Sequence, residues 1–94
     1  MDELLNSLKS DLVAAQQGTM ARVPLYHQVY SVLKAAILDG SIPYASQMPT
    51  EHQIIDTFDV SRITAKRAMD ELAAEKLVTR ARGKGSHVAY RFRA

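Results

Sequence analysis

Two helix-start signals stand eleven positions apart, at Thr50 and Ser61, and each opens a short apolar stripe. In "TEHQ" (50–53) the Thr50 side chain is placed to accept from the Gln53 N–H while the Gln53 side chain reaches back, which is a capping box. Ile54, Ile55 and Phe58 follow as the inward side of a brief helix. "FDVS" then reads as a turn, and Ser61 caps the next helix. There Ala65, Ala68, Met69 and Leu72 recur at helical spacing, and the small alanines allow the preceding helix to come close. The spacing predicts two helices joined by a tight turn.

The flanking segments supply the rest of a small core. Leu4, Leu5, Leu8, Leu12 and Val13 predict an amphipathic helix over 2–16, stopped near Gly18. Its stripe is free to dock on its own domain, on a further domain or on a second copy. Leu25, Val29, Val32, Leu33, Ala36 and Ile37 form the stripe of a second helix, with Pro24 in its first turn and Gly40 closing it. "SIPYASQMP" has no helical period and reads as a connection with room for one short strand. After Leu77 the period changes. Arg80, Arg82 and Lys84 alternate, "GKG" (83–85) turns the chain, and Val88, Tyr90 and Phe92 alternate on the return. The expected fold is therefore mainly α with a small β-hairpin. It is a winged helix-turn-helix, a three-helix core plus wing, carrying an extra N-terminal amphipathic helix. Residues 1–22 are read as that helix and a linker, 23–90 as the winged domain, and 91–94 as a tail or the start of a further linker.

Charge divides the chain. Residues 1–60 hold three Lys or Arg against seven Asp or Glu, a net of −4, whereas residues 61–94 hold nine against three, a net of +6. Such asymmetry points the C-terminal third at a polyanion. Within it, Arg62, Lys66 and Arg67 crowd the start of the helix capped by Ser61. The helix dipole disfavours cations there by about 0.3–1 kcal/mol each. A phosphate backbone docked at that end would be attracted by both the dipole and the side chains. A helix-turn-helix places the start of its second helix in the major groove, where Arg or Lys pairs with guanine. Arg62 and Lys66, one turn apart, are thus the base-reading candidates, with Thr64 and Arg67 nearer the phosphates. Gly83 and Gly85 leave room for Lys84 to enter a groove, flanked by Arg82.

Taken together, "PLYHQVYSVLKAAILDGSI" and "MPTEHQIIDTFDVSRITAKRAMDELAAEKLVTRARGKGSHV" resemble the DNA-binding domain of GntR-type transcriptional regulators over residues 24–88. The matching elements are Pro24-Leu25-Tyr26, Pro49-Thr50-Glu51, Ser61-Arg62 with Thr64, Leu72 through Leu77-Val78, and Gly83-Lys84-Gly85. "SRITAKRAMDEL" looks closest to the HutC-like branch. The resemblance implies a homodimer on a palindromic double-stranded DNA operator, with Arg62 and Lys66 on bases, Thr64 on a phosphate or base, and Gly85 at the wing tip. The implied contact set is Thr50, His52, Ser61, Arg62, Ile63, Thr64, Lys66 and Arg67 on the helix pair, and Arg82, Lys84, Gly85 and Ser86 on the wing. It also implies a metabolite-responsive repressor, its small-molecule effector held by a second domain that lies outside these 94 residues. Three positions depart from the family pattern. His52 stands where arginine is frequent, and a polyanion would favour its protonated form. Lys76 and Ala45 stand where glycine is expected, and a lysine at positive φ is disfavoured by about 1 kcal/mol, so a locally altered turn is expected.

Other chemistries find little here. There is no cysteine, and His27, His52 and His87 lie far apart without a zinc spacing. No nucleophile elbow or phosphate loop occurs, so neither an enzyme nor a metal or organic cofactor is expected. No apolar run approaches the ~20 residues needed to span a membrane, and "MDELLNSLKSD" is not a secretory signal, which predicts a soluble cytoplasmic, nucleoid-associated protein. The rival reading is a winged-helix protein-interaction module working through the leucine stripe of the first helix.

Overall fold

The capping signals are realised as atoms. In the computed structural model, which describes residues 2–18, 21–81 and 85–91, the Thr50 N–H donates to Gln53 Oε1 (2.9 Å) and the Gln53 N–H to Thr50 Oγ1 (3.1 Å). They open α3 (Glu51–Phe58), while Ser61 Oγ accepts from the Thr64 N–H (3.1 Å) to open α4 (Arg62–Ala74). Between them Asp59 takes a left-handed conformation (φ 55°), and the Val60 N–H returns to the Ile55 carbonyl at 3.3 Å. Asp is among the few residues that visit this region readily, which lets the chain reverse in three residues.

α1 (Asp2–Gln16) and α2 (Leu25–Leu38) precede this pair, and an antiparallel hairpin of β1 (Val78–Ala81) and β2 (Gly85–Val88) follows it. α2 packs on α4, α4 on α3, and α1 lies across both α2 and α3. Pro24 is the N-cap of α2 rather than part of its first turn. Its ψ of 144° is extended, and its carbonyl accepts from the N–H groups of His27 (2.9 Å) and Gln28 (3.1 Å). Val29, Leu33, Ile37, Ile54, Ala65, Ala68 and Leu72 are fully buried, so the periodic stripes of three helices meet in one core. A polar clamp reinforces the α2–α4 contact: the Tyr30 hydroxyl donates to the Glu75 carboxylate, and Lys34 Nζ lies 3.1 Å from Glu75 Oε2.

The destination of the first stripe is the domain itself. Leu8 is 1% exposed and Leu12 is also buried, with Leu4 partly buried beside them. The far end of α1 is tied down where Gln16 Nε2 donates to Gln28 Oε1 (3.0 Å), whose amide in turn donates to the Val23 carbonyl (2.8 Å). Leu8 and Leu12, the centre of the stripe on which the protein-interaction reading relies, are therefore not available to a second chain, while Val13 at its end stays exposed.

The hairpin pairs Val78 with Val88 and Arg80 with Ser86. The preceding connection adds one isolated bridge, Gln47 to His87, with the Met48 N–H on the Ser86 carbonyl (2.8 Å) and the Val88 N–H on the Ser46 carbonyl (2.9 Å). These bonds fasten the hairpin to the segment leading into α3. β2 ends at Val88, short of the alternation expected through Tyr90 and Phe92. Tyr90 instead packs against the core beyond the strand, and Phe92 lies outside the described residues.

Both positions where glycine is expected take the backbone conformation that glycine favours. Lys76 (φ 63°) and Ala45 (φ 67°) both adopt the left-handed conformation. After α4 the Lys76 N–H bonds to the Ala73 carbonyl and the Leu77 N–H to the Leu72 carbonyl, each at 3.0 Å, with buried Leu77 and Leu72 beneath them. This is the Schellman pattern, in which two otherwise unpaired carbonyls and an apolar contact outweigh the steric cost of the lysine Cβ. Among the described residues no helix is long and apolar enough to cross a membrane.

Two stability outcomes are expected from urea denaturation. Leu8→Ala should lower stability by about 2–5 kcal/mol, as for other buried leucines; a loss within error would mean that α1 is not part of the core. Lys76→Gly should raise it by about 0.5–1 kcal/mol, because glycine carries no penalty at positive φ. The control Ala35→Gly, at an exposed site within α2, should lower it by about 1 kcal/mol.

Candidate nucleic-acid interface

With Ala65, Ala68, Met69 and Leu72 inward, the opposite side of α4 is left to solvent. Arg62, Ile63, Lys66 and Arg67 are all exposed, and the first turn contains no acid. The helix thus presents its positive end and three cations on one surface. No intramolecular partner of Arg62 is found among the described residues.

The other polar groups of this face are held by short networks. Ser61 Oγ, which caps the helix, also lies 3.0 Å from Thr64 Oγ1, so the two hydroxyls share a hydrogen bond on this face. Lys66 Nζ is 3.1 Å from Asp70 Oδ2, one turn on, and Arg80 of β1 donates to the other Asp70 oxygen. Asp70 therefore ties the helix to the wing. The Arg67 guanidinium stacks 3.9 Å from the centroid of the Tyr26 ring, which anchors this cation on α2. His52, on the outer face of α3, has Nε2 3.3 Å from Asp56 Oδ2.

On the wing, Gly85 has a φ of 74°, and a Cβ placed there would lie 3.5 Å from Gln47 Nε2. Its conformation rather than space calls for glycine. An open groove of about 330 Å³ separates the start of α3 from the hairpin, with Thr50, Met69, Arg80, Gly85 and Ser86 around it. The fold thus brings Thr50, Ser61, Arg62, Ile63, Thr64, Lys66, Arg67, Gly85 and Ser86 to α3–α4 and the adjoining wing. Arg82 and Lys84, expected at the wing tip, lie outside the described residues.

Three participants were not singled out from the sequence. Tyr26 stands out in the sequence only as part of Pro24-Leu25-Tyr26, Arg80 only as one of several alternating cations, and Asp70 only as one of three acids among residues 61–94. The partners of Tyr26 and Arg80 lie on other elements, so no local period marks these two, whereas Asp70 carries one local signal, Lys66 four residues before it on the same helix. Among the described residues no group of three or more His, Asp or Glu is arranged to hold a metal ion.

Asp70 provides a titratable test of the helix–wing tie. The Arg80 guanidinium, and then the Lys66 ammonium, hold its carboxyl below the usual aspartate range. A value lowered by folding stabilises the domain above the unfolded value of about 3.9 and ceases to do so as pH falls through the lowered value. With 43% of the Asp70 side chain accessible, solvent limits the contribution to about 0.2–1 kcal/mol. Asp70→Asn should accordingly reduce stability by no more than about 1 kcal/mol at neutral pH, and the gap from the parent should close in strong acid. A gap independent of pH would assign the loss to packing instead.

Residues 25–88 match the family described as "Bacterial regulatory proteins, gntR family". The HTH-type transcriptional repressor STM4068 of Salmonella typhimurium is 38% identical over 65 residues, covering 69% of this chain and 27% of its own. The HTH-type transcriptional repressor NagR of Bacillus subtilis is 31% identical over 67 residues, covering 71% and 28%. The chain thus spans just over a quarter of the length of these curated relatives. Among solved structures, that of AraR(DBD) in complex with operator ORX1 superposes with a TM-score of 0.71 at 30% identity, covering 77% of this chain and 87% of that one. A four-helix domain with a two-stranded wing, an outward basic helix start and this family match lead to one assignment: the chain belongs to the GntR family of bacterial regulatory proteins.

Proposed function

We propose that this domain reads an operator in double-stranded DNA for a bacterial transcription regulator, binding as one half of a homodimer on a palindromic site. The observation that carries the reading is the first two turns of α4. Exposed cations stand there on the helix's positive end, opposite a fully buried alanine stripe. That arrangement costs stability in the free domain and is repaired by a polyanion. Arg62 and Lys66 read bases, Thr64, Arg67 and Arg82 hold phosphates, and Lys84 with Gly85 enters the minor groove. Ser61, Thr50, His52 and Ser86 border the same track.

The finer parts of the reading rest on likeness. A relative named as a repressor, and a solved neighbour whose title places it on operator DNA, support repression by operator occupancy. Regulation by a small-molecule effector, on the HutC-like pattern, would be exerted through a domain outside residues 23–90, the winged unit itself. The role is non-enzymatic and its setting the cytoplasm, where the operator is accessible.

Selection of bound duplexes from a random pool, followed by salt titration of the winner and a scrambled control, tests the proposal. A palindrome should be enriched, and binding of both duplexes should fall steeply with salt. Failure to enrich any duplex, in a folded sample, would defeat it. On the selected site Arg62→Ala should cost about 1–3 kcal/mol and relax base preference, whereas Arg67→Ala should weaken selected and scrambled duplexes alike. Equal losses from both variants on every duplex would contradict this division of roles.

A further inference from the structure

The most exposed large apolar side chain among the described residues is Ile63, with 79% of its surface accessible; the next, Tyr44, has 49%. Ile63 lies in the first turn of α4, immediately after Arg62. At about 100° of rotation per residue it is diametrically opposite the mean direction of Ala65, Ala68, Met69 and Leu72. On the same wheel Lys66 lies about 60° to one side of it and Arg67 about 40° to the other, with Arg62 and Thr64 about 100° away on the two flanks. The crown of the helix start is therefore an isoleucine flanked by two cations, with Asp70, about 20° from it on the wheel, two turns further along and paired with Lys66 and Arg80. It contributes nothing to the core, and a β-branched residue is not favoured in a helix for its own sake.

A helix laid into the major groove along this face turns Ile63 toward the base edges, between the longer side chains of Lys66 and Arg67. Isoleucine can neither donate nor accept a hydrogen bond. Against guanine or cytosine it would strip water from polar edges and return nothing. The apolar feature of the major groove is the thymine 5-methyl group. We propose that Ile63 is a specificity-determining residue that packs on a thymine 5-methyl group, so that each operator half-site carries a thymine adjacent to the base pair read by Arg62 or Lys66. This inference rests on the operator-reading function proposed above and adds to it a base identity.

The test uses the duplex selected by the 94-residue chain. Each thymine is replaced in turn by deoxyuridine, which removes the methyl group and leaves the pairing edge unchanged. One thymine per half-site should be sensitive, its replacement weakening binding about three- to tenfold, in line with the loss of one buried methyl contact. Ile63→Ala, a change at an exposed site that leaves the fold intact by circular dichroism, should abolish that sensitivity while keeping the base preference that depends on Arg62. Specific binding with no thymine worth more than twofold, or the same deoxyuridine loss in Ile63→Ala as in the parent, would overturn the role of Ile63 and leave operator reading standing. Failure to select any duplex would overturn both.

Discussion

The close seating of α4 through Ala65 and Ala68 is the contact on which the rest of the structure depends. Both residues are fully buried, so the helix backbone approaches α2 and α3 with little side chain between. A larger residue at either position would push α4 outward and, with it, the turn set by Asp59. The same two alanines fix the rotation of the helix about its axis. Once they face inward, Ile63, Lys66 and Arg67 must face outward. Core packing and the choice of functional face are thus one constraint.

Around that face the electrostatics are layered rather than uniformly positive. Arg67 is anchored on Tyr26, and Lys66 and Arg80 share Asp70, while Arg62 is left without an anchor among the described residues. A carboxylate beside the proposed DNA track opposes indiscriminate attraction to phosphate. At the same time it links α4 to the hairpin through Arg80. Phosphate arriving near Lys66 would compete with Asp70 for it, so part of the attraction is offset by an interaction already present. A site built this way depends more on correct base contacts than one made of free lysines would.

Much of this was legible in the sequence because its signals are local. The capping box at Thr50 and Gln53, the Ser61 cap and the alanine stripe are read within one or two helical turns, and the structure realises each. The limits are physical too. A leucine stripe at 4, 8 and 12 states that a face must be buried but not by what, and only the fold shows α1 lying on α2 and α3. The bridge from Gln47 to His87 is a single pair, too short to leave a period. The turns at Lys76 and Ala45 were expected to shift for want of glycine, yet the hydrogen bonds around Lys76 hold it in place. The tie between Asp70 and Arg80 joins a helix to a strand, and no spacing rule reports it.

The most direct test of the central claim, that the outward start of α4 is the DNA-reading surface, is an amide chemical-shift titration of the chain with a duplex selected from a random pool. The account predicts that perturbations concentrate at residues 61–67, at the start of α3 and at Gly85 and Ser86, while residues 2–16 of α1 stay silent. Perturbations centred on α1, or spread evenly without a focus on α4, would contradict it.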